Sequence, residues 1–170
     1  MLYLSRKVHS LSGLVPAGLF LVFHFFVLGL NIFKINIGFV VILFWIPFLF
    51  HVYYGVRIVL SGDITFKYKY YRNYLFIFQR ITAAIIFAFI VLHIISLQRF
   101  PFWIDTLWYR AVFVCGIISA AFHFGNGLFG FLTGWGIISG QTAQKRLVAC
   151  TLVVFIVLSG LGIYNFVNFV

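Results

Sequence analysis

Acidic residues are nearly missing from this chain of 170: there are two, Asp63 and Asp105, against 12 lysines and arginines. Both sit in connections between apolar runs, so no carboxylate lies at mid-membrane depth. That argues against an ion pump or a proton channel built on buried acids. Charge of either sign is scarce, at 8% of residues, while apolar residues make up 64% and the mean hydropathy is +1.14. A water-soluble domain of this size cannot hide so much apolar surface, so the surplus has to face lipid. The two cysteines, Cys115 and Cys150, each lie inside an apolar run without a metal-ligand spacing, and read as small core residues. Alternating segments of about ten residues are absent, which argues against a β-barrel. No repeat or low-complexity stretch is present. No cleavable targeting peptide is expected, because the first long apolar run is full length. There is room for one transmembrane domain, 1–170, and none for a soluble one.

What is present is a set of long apolar runs: roughly Leu11 to Leu30, Ile35 to Leu60, Leu75 to Leu97, Leu107 to Ile138 and Leu147 to Val170. Each reaches the ~20 residues needed to cross hydrocarbon. Lipid forbids open sheet edges, so all five are expected to be helices, giving an all-α membrane bundle. Basic residues near the helix ends set the orientation. Arg6 and Lys7, then Lys67, Lys69, Arg72 and Arg80, then Lys145 and Arg146 fall on one side. The other side has Lys34, Arg99 and Arg110. The N-terminus is therefore expected to be cytoplasmic and the C-terminus outward. The net charge of +10 is mostly this topology signal, and no nucleic-acid partner is expected.

The chemistry lies in histidine. Of the five, His24, His51, His93 and His123 fall one apiece in the first four apolar runs, while His9 sits at the boundary. An intramembrane ionisable residue is a functional candidate by default. Any one of them could be a packing residue, but four on four helices are hard to explain that way. Neutral imidazole is the usual axial ligand of a membrane haem, and bundle cores are where such cofactors sit. At ~1.5 Å rise per residue, His51, His123, His24 and His93 stand about 14, 18, 20 and 27 Å from the cytoplasmic helix ends. Height groups His51 with His123 and His24 with His93, although the middle two are too close to order by depth alone. In an up-down bundle the first and third helices are diagonal, as are the second and fourth. Two diagonal pairs can then hold two stacked haems.

Haem propionates need cationic or hydroxyl partners, and Arg6, His9, Ser12, Arg57 and Arg80 lie near the cytoplasmic end. Topology bias alone accounts for basic residues there. Gly125, Gly127, Gly130 and Gly134 near His123 either admit a haem edge or pack helices. Trp103 and Trp108 read first as an interfacial belt. A quinone needs an apolar slot and hydrogen-bond donors. Asn31, Arg99, Asp105 and Trp108 offer these at the outer edge, whereas Ser12, His9 and Arg80 offer them at the inner one. The outer place is preferred, since an inner site leaves the outer haem idle.

RKVHSLSGLVPAGLFLVFHF (Arg6 to Phe25), YRNYLFIFQRITA (Tyr71 to Ala83) with His93 following, and FHFGNGLFGFLTGWGI (Phe122 to Ile137) lie on three helices in order. Together they resemble the cytochrome b subunit of succinate dehydrogenases, of the single-polypeptide, five-helix, di-haem type of Gram-positive bacteria. The similarity extends over nearly the whole chain. Its connections are short, especially the first, and the buried glutamate of some di-haem fumarate reductases has no counterpart. The resemblance implies an anchor in the bacterial plasma membrane for a flavoprotein and an iron–sulfur protein. It also implies two haems b, ligated by His51 with His123 and by His24 with His93, and electron delivery to a quinone, typically menaquinone. Two other readings remain: a di-haem anchor serving fumarate reductase or another quinone-linked dehydrogenase, and a haem-free membrane protein whose histidines serve packing or transport.

Overall fold

The computed structural model describes residues 2–21, 37–60 and 71–169, with side chains described for 7–20, 42–60 and 71–168. Five α-helices and one short 3-10 segment make up this part of the chain: α1 Leu2–Leu21, α2 Ile37–Leu60, α3 Tyr71–Arg99, the 3-10 turn Pro101–Asp105, α4 Leu107–Gly134 and α5 Gln141–Phe169. Four of them, α2 to α5, are long and apolar enough to cross a membrane. The expected apolar continuation of α1 to Leu30 lies outside the described residues, as do His24 and Asn31.

Helix boundaries depart from the apolar runs in an instructive way. α1 begins at Leu2 rather than Leu11, so the polar stretch carrying Arg6, Lys7, His9 and Ser12 is already helical. Hydropathy marks where lipid begins, not where hydrogen bonding begins. α3 likewise starts at Tyr71, ahead of Leu75, and α5 at Gln141, ahead of Leu147. α4 stops at Gly134, short of Ile138. Gly136 takes φ +74° and the Ile138 N–H reaches back to the Leu132 carbonyl, which closes the helix end. Gly140, at φ +88°, then turns the chain into α5. A left-handed backbone of this kind favours glycine. Between α3 and α4, Pro101 opens the 3-10 turn, and the Thr106 carbonyl accepts from Arg110 to start α4.

Burial is inverted relative to a water-soluble protein. Among the described residues the buried apolar side chains are Ile77, Tyr109, Ala121, Leu147 and Phe166. The buried polar ones are as numerous: Asn73, Thr82, Ser96, Ser119 and Thr151. Large apolar side chains such as Leu60, Ile46, Phe87, Val153 and Val167 face outward. In water each would cost about 25 cal/mol per Å² of exposed surface; in lipid that penalty vanishes. Helix contacts are then made by small and polar residues. Cys115 and Cys150, expected in the core, are both exposed on the helix surface as free thiols, because their helices turn neighbouring positions inward instead: Gly116 and Ser119 on α4, Leu147 and Thr151 on α5.

The chain falls into two compact units, Met1–Ile64 with Gly127–Gln144, and Thr65–Asn126 with Lys145–Val170. In the first, α1 and α2 approach closely: a Cβ added to Gly55 would lie 3.2 Å from His9 Cε1. Trp135 joins them, its Nε1 donating to Ser10 Oγ at 3.3 Å while Lys7 Nζ lies 5.2 Å from its ring centroid. In the second, α4 meets α5 where Phe113 stacks on Phe166 at 4.3 Å and where a Cβ on Gly125 would come within 3.0 Å of the Thr151 carbonyl oxygen. Gly125 is thus a helix-packing glycine.

Candidate functional site

Three of the four intramembrane histidines are described, and all are held through Nδ1. In the first unit, His51 of α2 places Nδ1 2.9 Å from the His9 carbonyl oxygen and 3.5 Å from Ser12 Oγ. A carbonyl only accepts, so Nδ1 carries the proton and donates. The neutral ring then has its lone pair on Nε2. His9 stacks on His51 with centroids 4.0 Å apart and planes 10° off parallel. Gly13 makes room for this: a Cβ there would stand 2.5 Å from His51 Cε1 and 2.8 Å from Nδ1. Ser12 Oγ donates to the same His9 carbonyl at 2.8 Å.

In the second unit, His123 of α4 donates from Nδ1 to the Gln79 carbonyl of α3 at 3.1 Å, with Thr82 Oγ1 3.4 Å away. Gln79 Nε2 returns a bond to the His123 carbonyl at 3.0 Å. The Asn126 amide, one turn along, donates to Gln79 Oε1 at 2.8 Å and to the Leu75 carbonyl at 3.0 Å. His93 lies toward the other end of α3, with Nδ1 3.2 Å from Tyr109 Oη. Phe89 and Phe113 flank its ring at 5.7 and 5.3 Å between centroids. Orientation of a metal-binding imidazole by a hydrogen bond to its other nitrogen is the usual arrangement, because it fixes the tautomer and raises ligand basicity. The donor set fits haem ligation. Among the described residues no three of His, Cys, Asp and Glu cluster as a metal site made of protein alone, whereas a haem iron would be held by single imidazoles such as these.

The remaining expected residues divide. His9 and Ser12 do gather at His51. Arg57 is exposed on α2, and the Arg80 guanidinium lies 4.0 Å from the Phe76 ring centroid of its own helix. The Arg6 side chain lies outside the described ones. At the α3–α4 connection, Arg99, Asp105 and Trp108 are all exposed. Asp105 Oδ1 is 3.9 Å from Arg110 Nη2, a surface pair worth ~0–1 kcal/mol. Trp108 meets Trp103 edge-on at 5.2 Å. Sequence reasoning missed Gln79, Asn126, Ser96 and Tyr109. The available signal was an amide or hydroxyl inside an apolar run, which lipid makes costly unless it is paired.

An all-α, multi-pass membrane protein with hydrogen-bonded histidines inside its spans is the class that fold and site define. No protein-family model matches the chain, and no solved structure does. The succinate dehydrogenase cytochrome b558 subunit of Bacillus subtilis (strain 168) is 30% identical to it over 193 aligned positions, covering 97% of this chain and 96% of that protein. The chain belongs to the succinate dehydrogenase cytochrome b subunit family.

Proposed function

We propose that this chain is the membrane anchor and electron-transfer subunit of a succinate:quinone oxidoreductase. It takes electrons from an iron–sulfur subunit that, with a flavoprotein, docks on the cytoplasmic side of a bacterial plasma membrane. Two haems b are its carriers, the inner held by His51 and His123 and the outer by His24 and His93. The observation that carries this reading is the shared state of His51, His93 and His123: each engages an oxygen through Nδ1, which is how an imidazole is prepared to ligate through Nε2. When bound, a haem iron exchanges single electrons at a potential set by its ligands and surroundings. The chain's own contribution is to fix the imidazoles and to keep the site in a low-dielectric, lipid-bounded interior.

The pairing rests on histidine depth along the sequence and on the family resemblance. His9 and Ser12, beside His51, are proposed to meet propionates of the inner haem, with Arg6, Arg57 and Arg80 as further candidates. Menaquinone or another quinone is proposed to react at the outer side, near Asn31, Arg99, Asp105 and Trp108. A shallow apolar depression on α4, running from Leu107 and Arg110 to Ile118, offers a surface for its tail close in sequence to Asp105 and Trp108. The test is to add succinate to the purified complex and follow the b-type absorption. Reduction of the haems that quinone then reverses is expected. Bands that succinate leaves oxidised, in a complex with active flavoprotein, would overturn the reading.

A further inference from the structure

Tyr109 and Ser96 are the largest fully buried side chains among the described residues, at 1% and 0% exposure, in a molecule that buries few of its bulky side chains. Both carry hydroxyls. A hydroxyl taken out of water without a partner is costly, so such a pair in a lipid-bounded interior has to be satisfied locally.

Counting protons fixes the direction of every bond. Ser96 Oγ lies 2.8 Å from the His93 carbonyl oxygen, which only accepts, so the serine proton goes there. Tyr109 Oη lies 2.5 Å from Ser96 Oγ. The serine has already spent its proton, so the phenol donates to it. Tyr109 Oη therefore faces His93 Nδ1, 3.2 Å away, as an acceptor. The result is a closed ring of three bonds: His93 Nδ1–H to Tyr109, Tyr109 to Ser96, and Ser96 back to the His93 carbonyl. We infer that Tyr109 is the positioning residue for His93. It holds the imidazole as the Nδ1–H tautomer and strengthens Nε2 as a donor, with Ser96 aiming the phenol. This rests on the proposed role of His93 as a ligand of the outer haem.

The arrangement differs from that of the other two histidines. His51 and His123 donate to main-chain carbonyls, which no side-chain substitution removes. The Nδ1 acceptor of His93 is a side chain and can be deleted by the loss of a single oxygen atom. Phe89 and Phe113 would still flank the ring, so the imidazole keeps its place while losing the bond.

The experiment is Tyr109→Phe in the full complex, with both haems followed by optical redox titration and by the low-spin ferric electron paramagnetic resonance signals. A hydrogen bond from Nδ1 makes the imidazole more basic and favours ferric iron. Its removal should raise the midpoint potential of one haem and move that haem's ferric signal, leaving the other haem and the haem content unchanged. Ser96→Ala, which takes away the phenol's acceptor, should disturb the same haem alone and covers the case in which Tyr109→Phe does not assemble. Unchanged potentials and spectra in both variants, or equal shifts of both haems, would overturn the role of Tyr109. His93→Ala separates this from the reading beneath it. If it retains two low-spin haems, the ligand assignment itself fails, whatever Tyr109→Phe does.

Discussion

Gln79 and His123 hold each other at both ends: the His123 ring donates to the Gln79 carbonyl at 3.1 Å, and the Gln79 amide donates to the His123 carbonyl at 3.0 Å. Only the second bond depends on the glutamine side chain. Gln79→Ala should therefore leave the imidazole bonded and the haem content intact. It would strip an acceptor from Asn126, whose amide donates to Gln79 Oε1. An orphaned donor of that kind costs about 1–3 kcal/mol. Thermal unfolding in detergent, followed at the Soret band, should show a lower midpoint at unchanged haem stoichiometry. Loss of one haem in this variant would mean that the side chain, not the backbone, orients His123.

Gly13 is expected to be intolerant of any side chain. A methyl group there would meet His51 Cε1 at 2.5 Å, on the edge that also bears Nδ1. The ring would have to leave the His9 carbonyl or the helices would have to part, at about 1–3 kcal/mol for overpacking. Gly13→Ala should lower stability and perturb or remove the inner haem, whereas Gly18→Ala, with no described residue within 4 Å of an added Cβ, should leave it intact. Equal spectra for the two variants would contradict the packing account of α1 and α2.

Much of this was legible in the chain itself. The second to fifth apolar runs, and the described part of the first, became helices because a lipid-bounded backbone has to satisfy its own hydrogen bonds, and the placing of one histidine in each of the first four runs named the candidate residues. Less legible was where α1 begins, since Lys7, His9 and Ser12 look like a polar lead-in but belong to the helix that packs on α2. The orienting groups were illegible for a different reason. Gln79 lies 44 residues from His123 and Ser96 13 from Tyr109, so no local pattern links either pair. Cys115 was misplaced because a small apolar residue suits the lipid face as well as the interior.

Docking of the iron–sulfur partner is proposed on the face expected to be cytoplasmic, formed by the N-terminus and the connections around Lys67 to Arg72 and Gln141 to Arg146, which carry most of the basic charge. Lys67 and Lys69 lie outside the described residues, and Arg72 opens α3. Charge at a rim steers association more than it stabilises the complex. Reversing Lys67, Lys69 and Arg72 together should slow assembly, more so at low salt, with the haem spectrum intact. Assembly at wild-type rates across salt concentrations would assign these residues to topology alone.

If quinone reacts on the outer side, electrons cross part of the bilayer, and each charge moved through the full potential is worth ~2.3 kcal/mol per 100 mV. Succinate–quinone turnover in sealed vesicles should then change on adding an uncoupler, and a quinone-site inhibitor should perturb the haem held by His24 and His93. Indifference to the uncoupler, with perturbation of the other haem only, would move the site to the cytoplasmic side.

The central claim is that four histidines hold two haems, and haem content per chain tests it most directly. Quantitative pyridine haemochrome and reduced-minus-oxidised spectra would be taken on the purified protein and on alanine variants of all five histidines. The account predicts two low-spin haems b in the wild type. It predicts one lost or converted in each of His24→Ala, His51→Ala, His93→Ala and His123→Ala. Two should be retained in His9→Ala, because the His9 carbonyl that accepts from His51 survives that change. A wild type without haem, or two intact haems in any of the four ligand variants, would contradict it.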